Sequence, residues 1–289
     1  MPVRAGATLP TSVSKDMASL PVCAGQQNKK TQIIRATNEI DMARQIGFWL
    51  EWGATPEVVN GQMAMVMQNI NRCSSCLSTR IDLHRFEPDR AMKRAIKGFR
   101  GNVTLDPVVL TPHTDIGRRH LVEHETLLRQ YVLNRAPGRF YEGWANVIQS
   151  AEFAAFTQDS RRLTLAFRDA HDGKLLGGTQ IVRGLLERNG RSEVVAYGAS
   201  NYYSADNQHS QSPGIAQICA TIAWLQAQGA RYLYMGHTTL HEGPFHYKLR
   251  FDPDLRPSEG NWVRCDRILE TVGNRKTCGG KAPNPSAVS

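Results

Sequence analysis

Residues 72–100 set two chemical devices side by side. Cys73 and Cys76, two residues apart, have the spacing that grips one tetrahedral ion. Cys23 can serve as a third ligand, and His84 or a distant cysteine as a fourth. The same pair reads as two buried structural thiols, and the incomplete ligand set favours that reading. A basic run follows at once, with Arg80, Arg85, Arg90, Lys93, Arg94, Lys97 and Arg100. Such a run suits the phosphates of a nucleic acid, or it is simply a solvated face.

A second group lies near the C-terminal end. Gln211-Ser212-Pro213-Gly214-Ile215-Ala216 has the composition of a loop entering a helix, whose first N–H groups can hold an anion. A plain helix start has the same composition. His237, His241 and His246 cluster beyond it and are candidate general bases. A metal would need the first two on a helix, and Gly236 and Gly243 argue for loop instead.

These groups need elements to position them. Ile40, Ala43, Ile46 and Leu50 recur at helical spacing, with Gly53 and Pro56 closing the segment. Residues 77–86 alternate as a strand. Pro88 precedes a basic helix whose Met92, Ala95 and Ile96 face a core. Residues 101–117 read as loop, and His120 to Leu133 as a helix. Three strands follow, beginning at Leu163, Leu175 and Val194, joined by the turn signals Asp172-Gly173 and Asn189-Gly190. Ile215, Ile218, Ile222 and Leu225 then mark an amphipathic helix closed by Gly229, and Tyr232 to Gly236 an apolar strand. Meander, helix, crossover strand is an order that gives one parallel pair. It resembles the GCN5-related N-acetyltransferase fold. The fold expected is α+β, a mixed sheet flanked by helices with a smaller N-terminal α/β region. The loop at 211–216 is similar to the coenzyme-binding loop of those acetyltransferases.

The expected divisions are 1–30 as a flexible or Cys-bearing segment, 31–118 with the cysteine pair and basic helix, 119–262 as an acyltransferase-like domain, and 263–289 as a tail. A net charge of +9 over 289 residues favours an acidic partner. The chain shows neither a secretory h-region nor a run long enough to span a membrane. Scattered cysteines point to the reducing cytoplasm, with Cys265 and Cys278 lone and Cys219 in the core.

Three separated matches, in order over roughly residues 40–262, resemble the arginyl-tRNA–protein transferases and their bacterial leucyl-transferring relatives. Cys73, Cys76, Arg80, Phe86, Pro88, Arg90, Lys93 and Arg94 keep the register of that family's C-x-x-C to R-F-x-P-S-R-S-Q-R-R segment. Ser212-Pro213-Gly214-Ile215 takes the place of its Ser-Leu-Gly-Thr. Tyr234, Gly236, Tyr247, Lys248, Phe251 and Pro253 match its C-terminal signature. Departures include Gly243-Pro244-Phe245 for Pro-Lys-Met and Tyr203-Ser204-Ala205-Asp206 for Tyr-Asp-Pro.

The resemblance implies transfer of an amino acid from aminoacyl-tRNA to a primary amine, on a protein N-terminus, a peptide or a small molecule. Arg80, Arg90, Lys93, Arg94 and Lys97 would hold tRNA. Gln211, Ser212, Gly214, Tyr234 and Gly236 would line the substrate cleft. Tyr247 and Lys248 would orient and stabilise charge, while Asp206 or a histidine such as His237 would take the proton. Transfer needs no cofactor, and the resemblance implies zinc or an iron–sulfur cluster at Cys23, Cys73 and Cys76. An acetyl-coenzyme-A-dependent N-acetyltransferase and a non-catalytic RNA-binding protein remain the alternatives.

Overall fold

The computed structural model describes residues 30–59, 62–67, 76–110, 113–135, 162–207, 209–240, 245–256 and 261–271. They form two sheets. The smaller holds β1 (Lys30–Ile33), β2 (Thr55–Val59) and β3 (Gln62–Met67) in the order β1-β3-β2, all antiparallel. The larger holds eight strands: β4 (Cys76–Asp82), β5 (Val103–Val108), β6 (Arg162–Asp169), β7 (Leu175–Arg188), β8 (Arg191–Tyr203), β9 (Tyr232–Thr239), β10 (Asp254–Arg256) and β11 (Val263–Arg264). Its order is β11-β10-β4-β9-β8-β7-β6-β5, and only β8 and β9 run parallel. This is the mixed, helix-flanked sheet expected. β4 and β5 lie before residue 118, yet both are strands of this larger sheet.

Helices cover both faces of the larger sheet. α2 (Arg90–Lys97) and α4 (Pro213–Ala227) share one core, in which Met92, Ala95, Ile218 and Ile222 meet Leu165, Phe167, Ile181, Ala196 and Leu233. α1 (Glu39–Glu51) covers the other face with Ile46 and Leu50 against Val182, Val195, Tyr232 and Tyr234. α3 (Asp115–Arg135) lies on that same face, against Ala166, Leu175 and Tyr202. Neighbours such as Ile181 and Val182 therefore bury on opposite sides. A strand covered on both faces reads as a continuous apolar run, as Leu175 to Val182 does.

Local signals explain the ends of these elements. Asn38 caps α1 by accepting from the Asp41 N–H at 2.9 Å, and Asp89 caps α2 by accepting from the Met92 N–H at 2.7 Å. Asn189 and Gly190 both have positive φ, the two-residue turn that joins β7 to β8. The loop expected at 101–117 is instead β5 and the start of α3. β2 and β3 were not anticipated. β2 and β5 each contain a proline, Pro56 and Pro107, and each is an edge strand, where a missing N–H leaves no ladder bond unmade. A short α5 (Cys265–Thr271) closes the described chain. Among the described residues no helix is long and apolar enough to cross a membrane.

Candidate functional site

The two central strands part company halfway along. β8 and β9 pair from Val195↔Tyr232 to Tyr197↔Tyr234 and no further, although β8 runs on to Tyr203 and β9 to Thr239. Both strands are irregular just there. Ala199 is an extra residue in β8, since Ile181 faces Gly198 and Gln180 faces Ser200. The β4–β9 register shifts between Ser78 and Arg80, and the Thr79 hydroxyl donates to the Gly236 carbonyl at 2.7 Å. Irregular strands of this kind open a sheet and re-aim its side chains.

Lys248 fills the β9 side of this opening. It sits on a 3-10 helix (His246–Phe251), and its ammonium donates to the carbonyls of Met235 and His237, both at 2.6 Å. Burial lowers its pKa to about 8. Burial, aided by the Lys248 charge, lowers that of His237 to about 4, so this imidazole is neutral near pH 7. Its Nε2 has no hydrogen-bond partner among the described residues. Gly236 lies between them at φ 68°. A Cβ on it would stand 3.3 Å from Tyr197 Oη and 3.9 Å from Lys248 Nζ, so the missing side chain keeps a gap open between these two groups. Burial, with the charge of Glu57 next in weight, raises the Tyr197 pKa and keeps the phenol protonated.

A basic surface lies on the α4 side of the sheet. Arg90, Lys93, Arg94 and Lys97 are all exposed, and no carboxylate among the described residues pairs with them. α2 packs on α4, and Gly98 at its end lies so close to the loop leading into α4 that a Cβ would strike the His209 carbonyl oxygen. The cation row therefore runs up to the loop that carries Gln211 and Ser212. His209 is itself paired with Asp169 at 2.7 Å.

No family model matches the chain. Among curated proteins it is 27% identical to an aspartate/glutamate leucyltransferase of Saccharophagus degradans, over 63% of this chain and 68% of the relative. It is 24% identical to one from Allorhizobium ampelinum, over 89% of this chain and 94% of that one. The chain is a distant homologue of the aspartate/glutamate leucyltransferases. Among solved structures, that of L-PGS from Bacillus licheniformis is similar at 15% identity and a TM-score of 0.42, over 59% of this chain and 47% of that chain. A ribosomal-protein-alanine N-acetyltransferase from Brucella melitensis is similar at 18% identity and a TM-score of 0.31, over 46% of this chain and 79% of that chain.

Within this leucyltransferase homologue the expected site residues divide. Lys248, Gly236 and His237 come together at the opening. Tyr247 precedes Lys248 and is exposed. Gln211 and Ser212 are exposed, and Ser212 and Gly214 begin α4. Asp206 is exposed in the turn after β8, its N–H held by Ser204, and no hydrogen bond or ion pair joins it to Lys248 or His237.

Two of the expected site residues are engaged in ion pairs or hydrogen bonds of the fold. Arg80 is not on the basic surface. Its side chain is 6% exposed, bonded to Glu51 at 2.6 Å and Asp254 at 3.2 Å, and its guanidinium lies 4.1 Å from the Tyr232 ring centre and 4.5 Å from that of Trp262. Tyr234 is buried in the α1-face core against which Tyr197 also packs, and its hydroxyl donates to the same Glu51 at 2.6 Å. Strand alternation sends Tyr232 and Tyr234 to that side together.

The cysteines stand apart from the opening. Cys23 and Cys73 lie outside the described residues, as does the side chain of Cys76, whose backbone opens β4. No cluster of three metal-binding side chains occurs among the described residues. Cys219 is free and buried, as expected, but Cys265 is disulfide-bonded rather than lone. Tyr197 was missed because nothing in its neighbourhood marks it. Only the point at which β8 and β9 separate gives it significance.

Proposed function

We propose that the protein transfers an amino acid from an aminoacyl-tRNA to a primary amine, forming an amide. The observation that carries this reading is the placement of an exposed cation row, without carboxylate partners among the described residues, beside the loop into α4. It is joined by the homology to leucyltransferases. Phosphates of the tRNA acceptor stem would lie on Arg90, Lys93, Arg94 and Lys97, where each contact releases counterions. The charged 3′ end would pass the 209–214 loop and bring its ester to the gap between Tyr197 and Lys248. An ester is already activated, so the protein's work is to align the acceptor amine, move one proton and hold the developing oxyanion. The acceptor is an amine-bearing protein N-terminus, peptide or small molecule. The homologues are named for aspartate/glutamate leucyltransfer, which makes leucyl-tRNA and acidic N-termini the first pair to test.

Purified protein should move radiolabel from one species in a panel of charged tRNAs onto a peptide bearing a free N-terminus. An N-terminally blocked peptide should receive none. Label incorporated instead from acetyl coenzyme A would establish acetyl transfer. Tight tRNA binding with no transfer to any amine would leave an RNA-binding protein.

A further inference from the structure

The backbone around Lys248 bears on which form of this lysine works. A neutral amine has two N–H bonds, and the carbonyls of Met235 and His237 supply an acceptor for each, both at 2.6 Å. Its electron pair is then the one valence not engaged with main chain. The ammonium form carries a third N–H in a buried place; it makes no third hydrogen bond among the described residues, and the Phe245 ring centre lies 4.9 Å from Nζ. The two carbonyls and the ring can also hold the cation, and it is burial that favours the neutral amine and brings the pKa to about 8. The titratable groups around it are His237 on β9, Tyr197 on β8, Glu57 on β2 behind Tyr197, and His246 and Tyr247 on its own turn. His237 stays neutral down to about pH 4, so it cannot take the amine's proton and keep it at physiological pH. Tyr197 Oη and Lys248 Nζ face one gap, 3.3 Å and 3.9 Å from the place that a Gly236 Cβ would occupy.

Resting on the transfer reading above, we propose that Lys248, as the neutral amine, takes the proton of the attacking acceptor, and that the Tyr197 hydroxyl donates to the oxyanion. The acceptor nitrogen forms its bond to the ester carbonyl carbon, and the carbonyl electron pair moves onto the oxygen facing Tyr197. The surplus proton on nitrogen passes to Lys248 Nζ. The carbonyl re-forms, the ester C–O bond breaks, and the ribose oxygen leaves with that electron pair and takes the proton from Lys248. The lysine ends neutral, and nothing is oxidised or reduced.

Lys248→Arg separates a base from a cation, because arginine keeps its charge and its donors but does not release a proton. Transfer should fall at least about a hundredfold in Lys248→Arg, as far as in Lys248→Met. The wild-type rate should rise with pH and level off above about 8. Once the rate is expressed per unprotonated acceptor amine, that limb should not move between two acceptor peptides whose amine pKa values differ. In the wild-type protein, a lysine ε-carbon NMR signal absent from Lys248→Arg should titrate near 8. Tyr197→Phe should lower kcat by about a hundredfold or more with KM held, the loss of one oxyanion donor. A Lys248→Arg protein that transfers at more than a tenth of the parental rate would overturn the base assignment, and so would a signal titrating above 10. A Tyr197→Phe protein within threefold of wild type would remove the oxyanion role. Wild-type protein inert toward every charged tRNA would defeat the transfer reading itself, and this proposal with it. Wild-type transfer together with an active Lys248→Arg defeats the proposal alone.

Discussion

Arg80 and the cations of α2 lie ten residues apart in one basic run, and the fold treats them in opposite ways. Arg80 is locked between Glu51 and Asp254 under the rings of Tyr232 and Trp262, while Arg90, Lys93, Arg94 and Lys97 stand in solvent without carboxylate partners among the described residues. The difference comes from the element beneath each. β4 is an inner strand of the larger sheet, bordered by β9 and β10 and covered on its α1 side, so Arg80 had to be paired. α2 is amphipathic and buries only Met92 and Ala95, so its cations remain available. A basic run is therefore open to a polyanion only where the underlying element leaves it exposed. The paired arginine has another task. Glu51 ends α1, Asp254 lies in β10, and Tyr234 and Arg188 join the Glu51 carboxylate at 2.6 Å and 3.1 Å. Arg80 thus ties the N-terminal helix to the sheet that holds the opening.

The sharpest way to break this contrast is to remove the buried charge. Arg80→Met should destabilise the fold by about 3–5 kcal/mol, because it strands two carboxylates that have little access to water. Denaturant titration should show a lower midpoint. A loss below about 1 kcal/mol would mean that the network rearranges and that Arg80 does not tie the elements together.

Titration gives the next test, since burial also decides which histidines stay neutral. His124, fully buried with its Nδ1 2.8 Å from the Tyr202 hydroxyl, has its pKa lowered by burial to about 4. His237 is lowered similarly. Each is neutral in the folded chain while the unfolded chain protonates below about 6.5. The stability they contribute is therefore complete above pH 6.5 and is lost as pH falls from 6.5 toward 4. For His124 the loss is about 3 kcal/mol over that window. His124→Leu gives up the Tyr202 bond and should be less stable at neutral pH. Its stability should nevertheless depend less on pH between 6.5 and 4 than wild type's, and equal slopes would refute the shift.

Much of the frame was legible from residue order alone. The period of Ile215, Ile218, Ile222 and Leu225 gave α4, and Asn189-Gly190 gave a tight hairpin, because these signals are local. Pro56 and Pro107 hid β2 and β5, since a proline speaks against a strand unless its edge position is known. Lys248 was found through its match to a family signature, but its bonds to Met235 and His237 depend on β9 leaving its parallel partner. The surroundings of Arg80 and Tyr234 were hidden for a related reason. Their types and spacing resemble those of site residues, and only the sheet shows that both meet Glu51.

The smallest effect on the fold is expected at α2, and there the contrast becomes a binding test. Replacing Arg90, Lys93 and Arg94 with Ala removes charges that make no ion pair among the described residues. Alanine is a good helix former, so each change should alter stability by no more than about 0.5 kcal/mol. If these side chains hold tRNA as proposed, their contribution is electrostatic and independent of base sequence. The plot of log K against log salt should therefore flatten by about one unit for each phosphate that is no longer neutralised. Affinity should fall by similar factors for every charged tRNA that binds. Lys97 lies one turn on from Lys93 and Arg94, toward Gly98 and the loop into α4. If the acceptor stem runs in that direction, Lys97→Ala should weaken binding as much as Arg90→Ala does, and should also raise KM for the aminoacyl-tRNA. An unchanged salt slope in the triple variant would show that exposed, unpaired cations are no better a guide to the tRNA surface than Arg80 was.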